Sequence, residues 1–171
     1  LRWIEPPVPL AHPLDDGAVL LLRDLDETAH RLGADANTYR GLVGPTVRNW
    51  DVIINDLTGP FRIPLHPRKL VAAARFGVHA VQSLTGLATR FKTKAARALL
   101  GGCGAHSMIG LTESLSGAFG LIFLASGHTV GWPIPAGGSQ RIADALAAHF
   151  ESLGGTIVLG RRVSSIDHLA P

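Results

Sequence analysis

The segment Gly131-Trp132-Pro133-Ile134-Pro135-Ala136-Gly137-Gly138 constrains this chain more than any other stretch. Its two prolines fix φ and withhold amide donors. The glycine pair that follows permits backbone angles closed to other residues, so the segment reads as a rigid approach to a tight turn. Residues 139–153 then place Ile142, Ala143, Leu146, Ala147, Phe150 and Leu153 on one helical face, with Arg141, Asp144, His149 and Glu151 off it. Gly154-Gly155 ends this helix, and Thr156-Ile157-Val158-Leu159 reads as a buried strand leading to Arg162-Val163-Ser164-Ser165-Ile166. Turn, helix and strand make half of an α/β layer of the nucleotide-binding kind. No glycine loop of the sort that cradles phosphate precedes it in the 171 residues. A domain crossing is therefore expected at 131–138, dividing the chain into 1–130 and 131–171.

Ahead of that crossing the pattern is helical. The apolar runs 1–5 and 18–23 are separated by Pro6, Pro7, Pro9, Pro13, Asp15, Asp16 and Gly17, and are expected to form a short N-terminal strand pair. Asp24 and Glu27 supply a capping pattern for a short helix that stops at Gly33. Leu42, Val43, Val47, Trp50, Ile53, Ile54 and Leu57 make a buried stripe over 35–57, with Pro45 expected to kink or split the helix. After a proline-rich link over 59–67, Pro67 suits a first-turn position. Leu70, Val71, Ala74, Val78, Val81 and Leu84 continue the stripe. A helix over 92–100 is expected to stop at Gly101-Gly102, and another over 111–125 at Gly127; the latter is apolar nearly all round and should be central to a bundle. The fold class read from this is α+β, predominantly helical.

The content of apolar residues, 46%, suffices for one sizeable core. A single cysteine, Cys103, excludes an internal disulfide and a cysteine-based zinc site; it reads as a small buried hydrophobe in a reducing, cytoplasmic setting. The chain starts at Leu1 with no signal pattern, which reads as a partial chain. Its longest uncharged apolar stretch, 114–126, is short of the roughly 20 residues a bilayer span needs. Charge is unevenly spread: −4 over 1–56, +8 over 57–112 with no acidic residue, and −1 over the rest. Arg68, Lys69, Arg75, Arg90, Lys92, Lys94 and Arg97 form a solvated face partly matched by the acidic first third, or a surface for anionic lipid or an acidic partner. No motif or aromatic interleaving points to nucleic acid.

Several segments in order carry a resemblance. They are Ala11-His12-Pro13-Leu14, Thr28-Ala29 with Arg31-Leu32-Gly33, and Arg97-Ala98-Leu99-Leu100 with Ala105-His106-Ser107. His128 with Gly131-Trp132-Pro133 follows, then Pro135-Ala136-Gly137-Gly138, Leu153-Gly154-Gly155 and Arg162-Val163-Ser164-Ser165-Ile166. Over almost its whole length the chain resembles the internal region of FAD-dependent oxidoreductases of the phytoene desaturase-like and flavin amine oxidase-like family. The resemblance implies a substrate-binding cap over 1–130 and an incomplete return into the FAD-binding domain over 131–171.

It further implies FAD as cofactor and a small substrate, with a lipophilic one admitted, whose C–C or C–N bond loses hydride equivalents. By the same resemblance Val163 meets the FAD adenine through its backbone amide and carbonyl, the alternative being an ordinary sheet residue. Gly137 and Gly138 either start the helix or allow close backbone approach to flavin or substrate. His128 and Trp132, near the crossing, are candidates to line the substrate pocket or to pack the junction. The family's GxGxxG is absent, and Gly101-Gly102-Cys103-Gly104 follows a helical segment rather than a strand. Residues 1–171 alone are thus expected to bind FAD weakly or not at all, the missing FAD-domain segments of the same chain being partners. An exposed apolar patch is expected where that domain would pack.

Other chemistry finds less support. Eight histidines include no His-x-x-x-His or acid-flanked pair, so no metal site is expected. His106-Ser107 lacks the Gly-x-Ser-x-Gly turn of a hydrolase nucleophile. No catalytic acid or base can be assigned, since a flavin carries the hydride chemistry itself. The alternative from another class is a non-catalytic helical module that binds a membrane surface or an acidic partner through 57–112, which makes a peripheral membrane location the alternative to a purely cytoplasmic one.

Overall fold

The computed structural model describes residues 1–60 and 66–169, so most of the expected proline-rich link over 59–67 lies outside the described residues. The described residues are predominantly helical with two small two-stranded sheets. In chain order the elements are β1 (Trp3–Ile4), β2 (Leu10–Leu14), β3 (Gly17–Leu21), α1 (Leu25–Arg31), α2 (Ala36–Arg48), α3 (Trp50–Thr58) and α4 (Pro67–Ala80). They continue with α5 (Leu84–Ala88), α6 (Lys94–Gly104), α7 (Ser116–Thr129), β4 (Ile134–Pro135) and α8 (Gln140–Ser152). The chain divides into two compact units: Glu5–Pro133, and Leu1–Ile4 with Ile134–Pro171.

In the unit Glu5–Pro133, β2 and β3 form an antiparallel hairpin across Asp15-Asp16, with Leu14 opposite Gly17 and Leu10 opposite Leu21. The expected pairing of 1–5 with 18–23 does not form. A two-residue loop closes the local hairpin at less entropic cost than the longer loop that the other pairing needs, so β2 takes the edge of β3. Asp24 caps α1 as its sequence pattern requires, Oδ1 accepting from the Glu27 amide at 2.7 Å. Pro45 sits inside α2 without splitting it; the break falls at Asn49 instead. There the side-chain amide donates to the Pro45 carbonyl at 2.8 Å, while the backbone amide turns to Thr46 at 3.3 Å. The chain can therefore bend at Asn49 while the Pro45 carbonyl keeps a partner.

Gly33 and Gly154 follow the ends of α1 and α8 with φ of 56° and 87°, as expected of helix stops, but Gly102 and Gly127 prove to be packing sites. The helix expected to end at Gly101-Gly102 continues to Gly104, and its glycines admit neighbours: a side chain on Gly102 would fall on the His12 ring and one on Gly104 on Leu84. Likewise α7 starts only at Ser116 and passes through Gly127, where a Cβ would meet Leu21. α7 is central as its composition requires, packed on α2, α4, α5 and α6. Leu121, Leu124 and Ala125 from α7 join Val43, Leu84, Leu87, Phe91, Leu99 and Leu100 in the core. The stripe expected to continue along α4 does not: Leu70, Val71, Val78 and Val81 are exposed, and the small Ala72 and Ala80 face inward.

The other unit pairs β1 with β4, antiparallel, Trp3 opposite Pro135 and Ile4 opposite Ile134. After β4 the Gly138 amide donates to the Pro135 carbonyl at 3.0 Å; Gly137 and Gly138 take φ of 90° and 92°, which explains two glycines before α8. No side chain of α8 is buried, and Ile142, Leu146, Phe150 and Leu153 are exposed. The expected strand over 156–159 is not formed, and Ile157, Val158 and Leu159 are exposed rather than buried. A strand needs a neighbour for its amides and carbonyls, and none of the described residues supplies one there.

Candidate functional site

One end of the unit Glu5–Pro133 gathers aromatic side chains from three separated segments. A 3₁₀ turn, Ala105–Ser107, follows α6 and carries His106; α7 contributes Phe123 and Ser126; and the chain beyond α7, turning at Gly131 with φ 74°, returns Trp132 alongside. The Trp132 indole donates Nε1–H to Ser126 Oγ at 2.9 Å, and that hydroxyl donates to the Phe123 carbonyl at 2.8 Å. His106 stacks on Phe123 with ring centroids 4.7 Å apart and planes 24° from parallel. Trp132 meets both edge-on, at 6.0 Å from His106 and 5.8 Å from Phe123. His106 is exposed and Phe123 and Trp132 are half-buried, so the cluster is a shelf rather than a closed pocket.

His12 of β2 packs over Gly102, its Nε2 buried without a hydrogen-bond partner. Burial, and secondly the nearby His106 imidazole, push the His12 pKa below its ordinary value, so His12 is neutral at physiological pH. Among the described residues no group of three or more His, Cys, Asp or Glu side chains is disposed to hold a metal ion, and the shelf has none. It can accept a flat apolar group against its ring faces without stranding a charge away from water.

The structure assigns the residues singled out from the sequence to different places. Trp132 is in the shelf. His128 is buried among core side chains: Nδ1 lies 3.3 Å from the Arg23 carbonyl and Nε2 2.8 Å from the Tyr39 hydroxyl. A carbonyl only accepts, so Nδ1 carries the proton and the Tyr39 O–H donates to Nε2. Burial lowers the His128 pKa against the opposing pull of its backbone partners, which keeps the ring neutral. Gly137 and Gly138 form the turn before α8, where a Cβ on Gly137 would touch the Arg141 side chain at 3.3 Å. Val163 lies in no strand and is 51% exposed. A cleft of about 490 Å³ opens along α8, but Arg2, Ala136, Arg141 and Asp144 line it rather than Gly137, Gly138 or Val163.

Neither Ser107 nor Cys103 is poised for nucleophilic chemistry. Ser107 Oγ is engaged with Ile109 of its own turn, donating to the carbonyl at 3.4 Å. Cys103 is fully buried, and burial pushes its thiol up to about 12. Sequence reasoning missed Phe123 and the approach of His12 to His106. The sole trace of the latter was that 11–14 and 105–107 both belonged to the resemblance. Compared with known proteins, the chain matches no family model, no curated protein and no solved structure.

Proposed function

We propose that the chain is part of an FAD-dependent oxidoreductase of the phytoene desaturase-like and flavin amine oxidase-like kind, with residues 5–133 as its substrate-binding cap. The observation that carries this reading is convergence. The segments 11–14, 105–107 and 128–133, far apart in sequence, supply His12, His106 and Trp132 to one end of the helical unit. An aromatic shelf with a neutral imidazole suits a small lipophilic substrate. The apolar side chains that α8 turns to solvent are those a helix of an α/β layer lays on its sheet, which fits a segment leading into a cofactor domain.

On this reading FAD is seated together with segments of the parent protein outside residues 1–171. Val163 has no strand neighbour to fix its amide and carbonyl, and no GxGxxG loop is present to hold a pyrophosphate. A flavin, where bound, supplies the hydride-accepting chemistry. This chain's own contribution is to position the substrate: Ser126 locks the Trp132 indole, Phe123 holds the His106 ring, and the shelf keeps apolar surface from water. In the intact gene product, a conjugated apolar probe is expected to quench tryptophan fluorescence, and Trp132→Phe to remove most of the quenching. Quenching that survives both Trp132→Phe and His106→Ala would place the substrate elsewhere.

A further inference from the structure

α4 is built with its apolar side outward. A surface helix ordinarily turns charged and polar residues to water and aliphatic ones to the core. On α4 and the residue after it, Leu70, Val71, Val78 and Val81 are 54%, 51%, 61% and 57% exposed, with Ala74 exposed among them, while Ala72 and Ala80 are buried. At 100° per residue these five side chains form one continuous ridge, about 16 Å long from Leu70 to Val81 at 1.5 Å per residue. Arg68 and Arg75 flank it on one side, Lys69 stands in the first turn, and none of the three is in an ion pair among the described residues. By contrast Lys94 is paired with Asp15 at 2.6 Å, and Arg97 donates to the Phe91 carbonyl at 2.8 Å, so these cations of the basic segment are already engaged. Arg68 and Arg75 line one cleft of about 370 Å³ with Asn49 and Val71, which places two guanidinium groups beside the ridge.

We propose that α4 is an interfacial helix that seats this protein on an anionic phospholipid surface, its aliphatic ridge in the acyl boundary and Arg68, Lys69 and Arg75 on the headgroups. The side chains choose this occupant. The ridge is purely aliphatic, and the charge that flanks it is of a single sign, positive, which complements an anionic headgroup layer. No described helix is long and apolar enough to cross a membrane; the proposed contact is one of α4 lying on the surface. The proposal is independent of the flavin reading and is read out without cofactor.

Co-sedimentation of the intact gene product with phosphatidylserine–phosphatidylcholine vesicles and with phosphatidylcholine vesicles tests it. Binding is expected to the first and to fall as salt rises. At about fivefold per cation, Arg68→Gln with Lys69→Gln and Arg75→Gln is expected to weaken it on the order of a hundredfold. Leu70→Ser with Val78→Ser, on exposed positions, is expected to weaken it as well while circular dichroism stays unchanged. No binding, equal binding to both vesicle types, or binding that survives both variants would overturn the proposal. So would sedimentation analysis in which the ridge variant dissolves a dimer, since the occupant is then a second copy of the chain.

Discussion

Asp35 is fully buried, and its two oxygens accept from the Lys92 amide at 2.8 Å, the Thr93 amide at 2.7 Å and the Thr93 hydroxyl at 2.7 Å. It thereby ties the turn Gly33–Asp35 to the start of α6, which Thr93 itself caps. Burial works to raise this carboxyl's pKa, but the donors, the Lys92 amide foremost, outweigh it and hold the group below 3.8. The stabilisation is therefore present above that ordinary value and is lost as pH falls through the lower folded one. Asp35→Asn would turn an NH₂ toward a donor, and urea unfolding is expected to show a loss of about 1–3 kcal/mol. His128 acts in a higher window. Its folded pKa lies below 6.5, so between the two values the unfolded chain binds more protons and stability rises with pH. Unfolding measured from neutrality down to about pH 5 is expected to show that decline, and His128→Gln to flatten it at the expense of stability at neutral pH. A slope unchanged in the variant would contradict a neutral, hydrogen-bonded His128.

Among the helices, two glycines separate the reasons for having no side chain. A Cβ on Gly117 would stand 2.7 Å from the Gln82 carbonyl oxygen, a backbone atom that cannot swing aside, whereas a Cβ on Gly101 meets nothing within 4 Å. Gly117→Ala is expected to destabilise by about 1–3 kcal/mol, and Gly101→Ala to stabilise by about 0.5–1 kcal/mol; thermal unfolding with the same sign for both would refute the packing argument. This pair also marks how far local reading reaches. Asp24, Pro67 and the all-apolar α7 were legible because caps, first-turn prolines and composition act within one element. Gly102 and Gly127 were not, since a glycine that ends a helix and one that admits a neighbour look alike until the neighbour is known. Periodicity likewise found the stripe on α4 but could not say which way it faces.

At the scale of the molecule, every fully buried large side chain among the described residues belongs to the unit Glu5–Pro133. The helical layer was legible from the sequence because its core is local to that stretch. The run 156–159 was misread as a formed strand because a ladder depends on residues that its own composition does not contain. Trp132 was singled out from its place near the 131–138 crossing, yet the shelf around it needed β2 and the turn after α6, which only tertiary structure brings together. Flavin content separates a piece of a flavoenzyme from any other helical protein. The intact gene product is expected to purify with stoichiometric FAD, identified by chromatography after release, and residues 1–171 titrated with FAD to retain little or none. An intact product free of flavin, or residues 1–171 holding stoichiometric FAD, would contradict that reading.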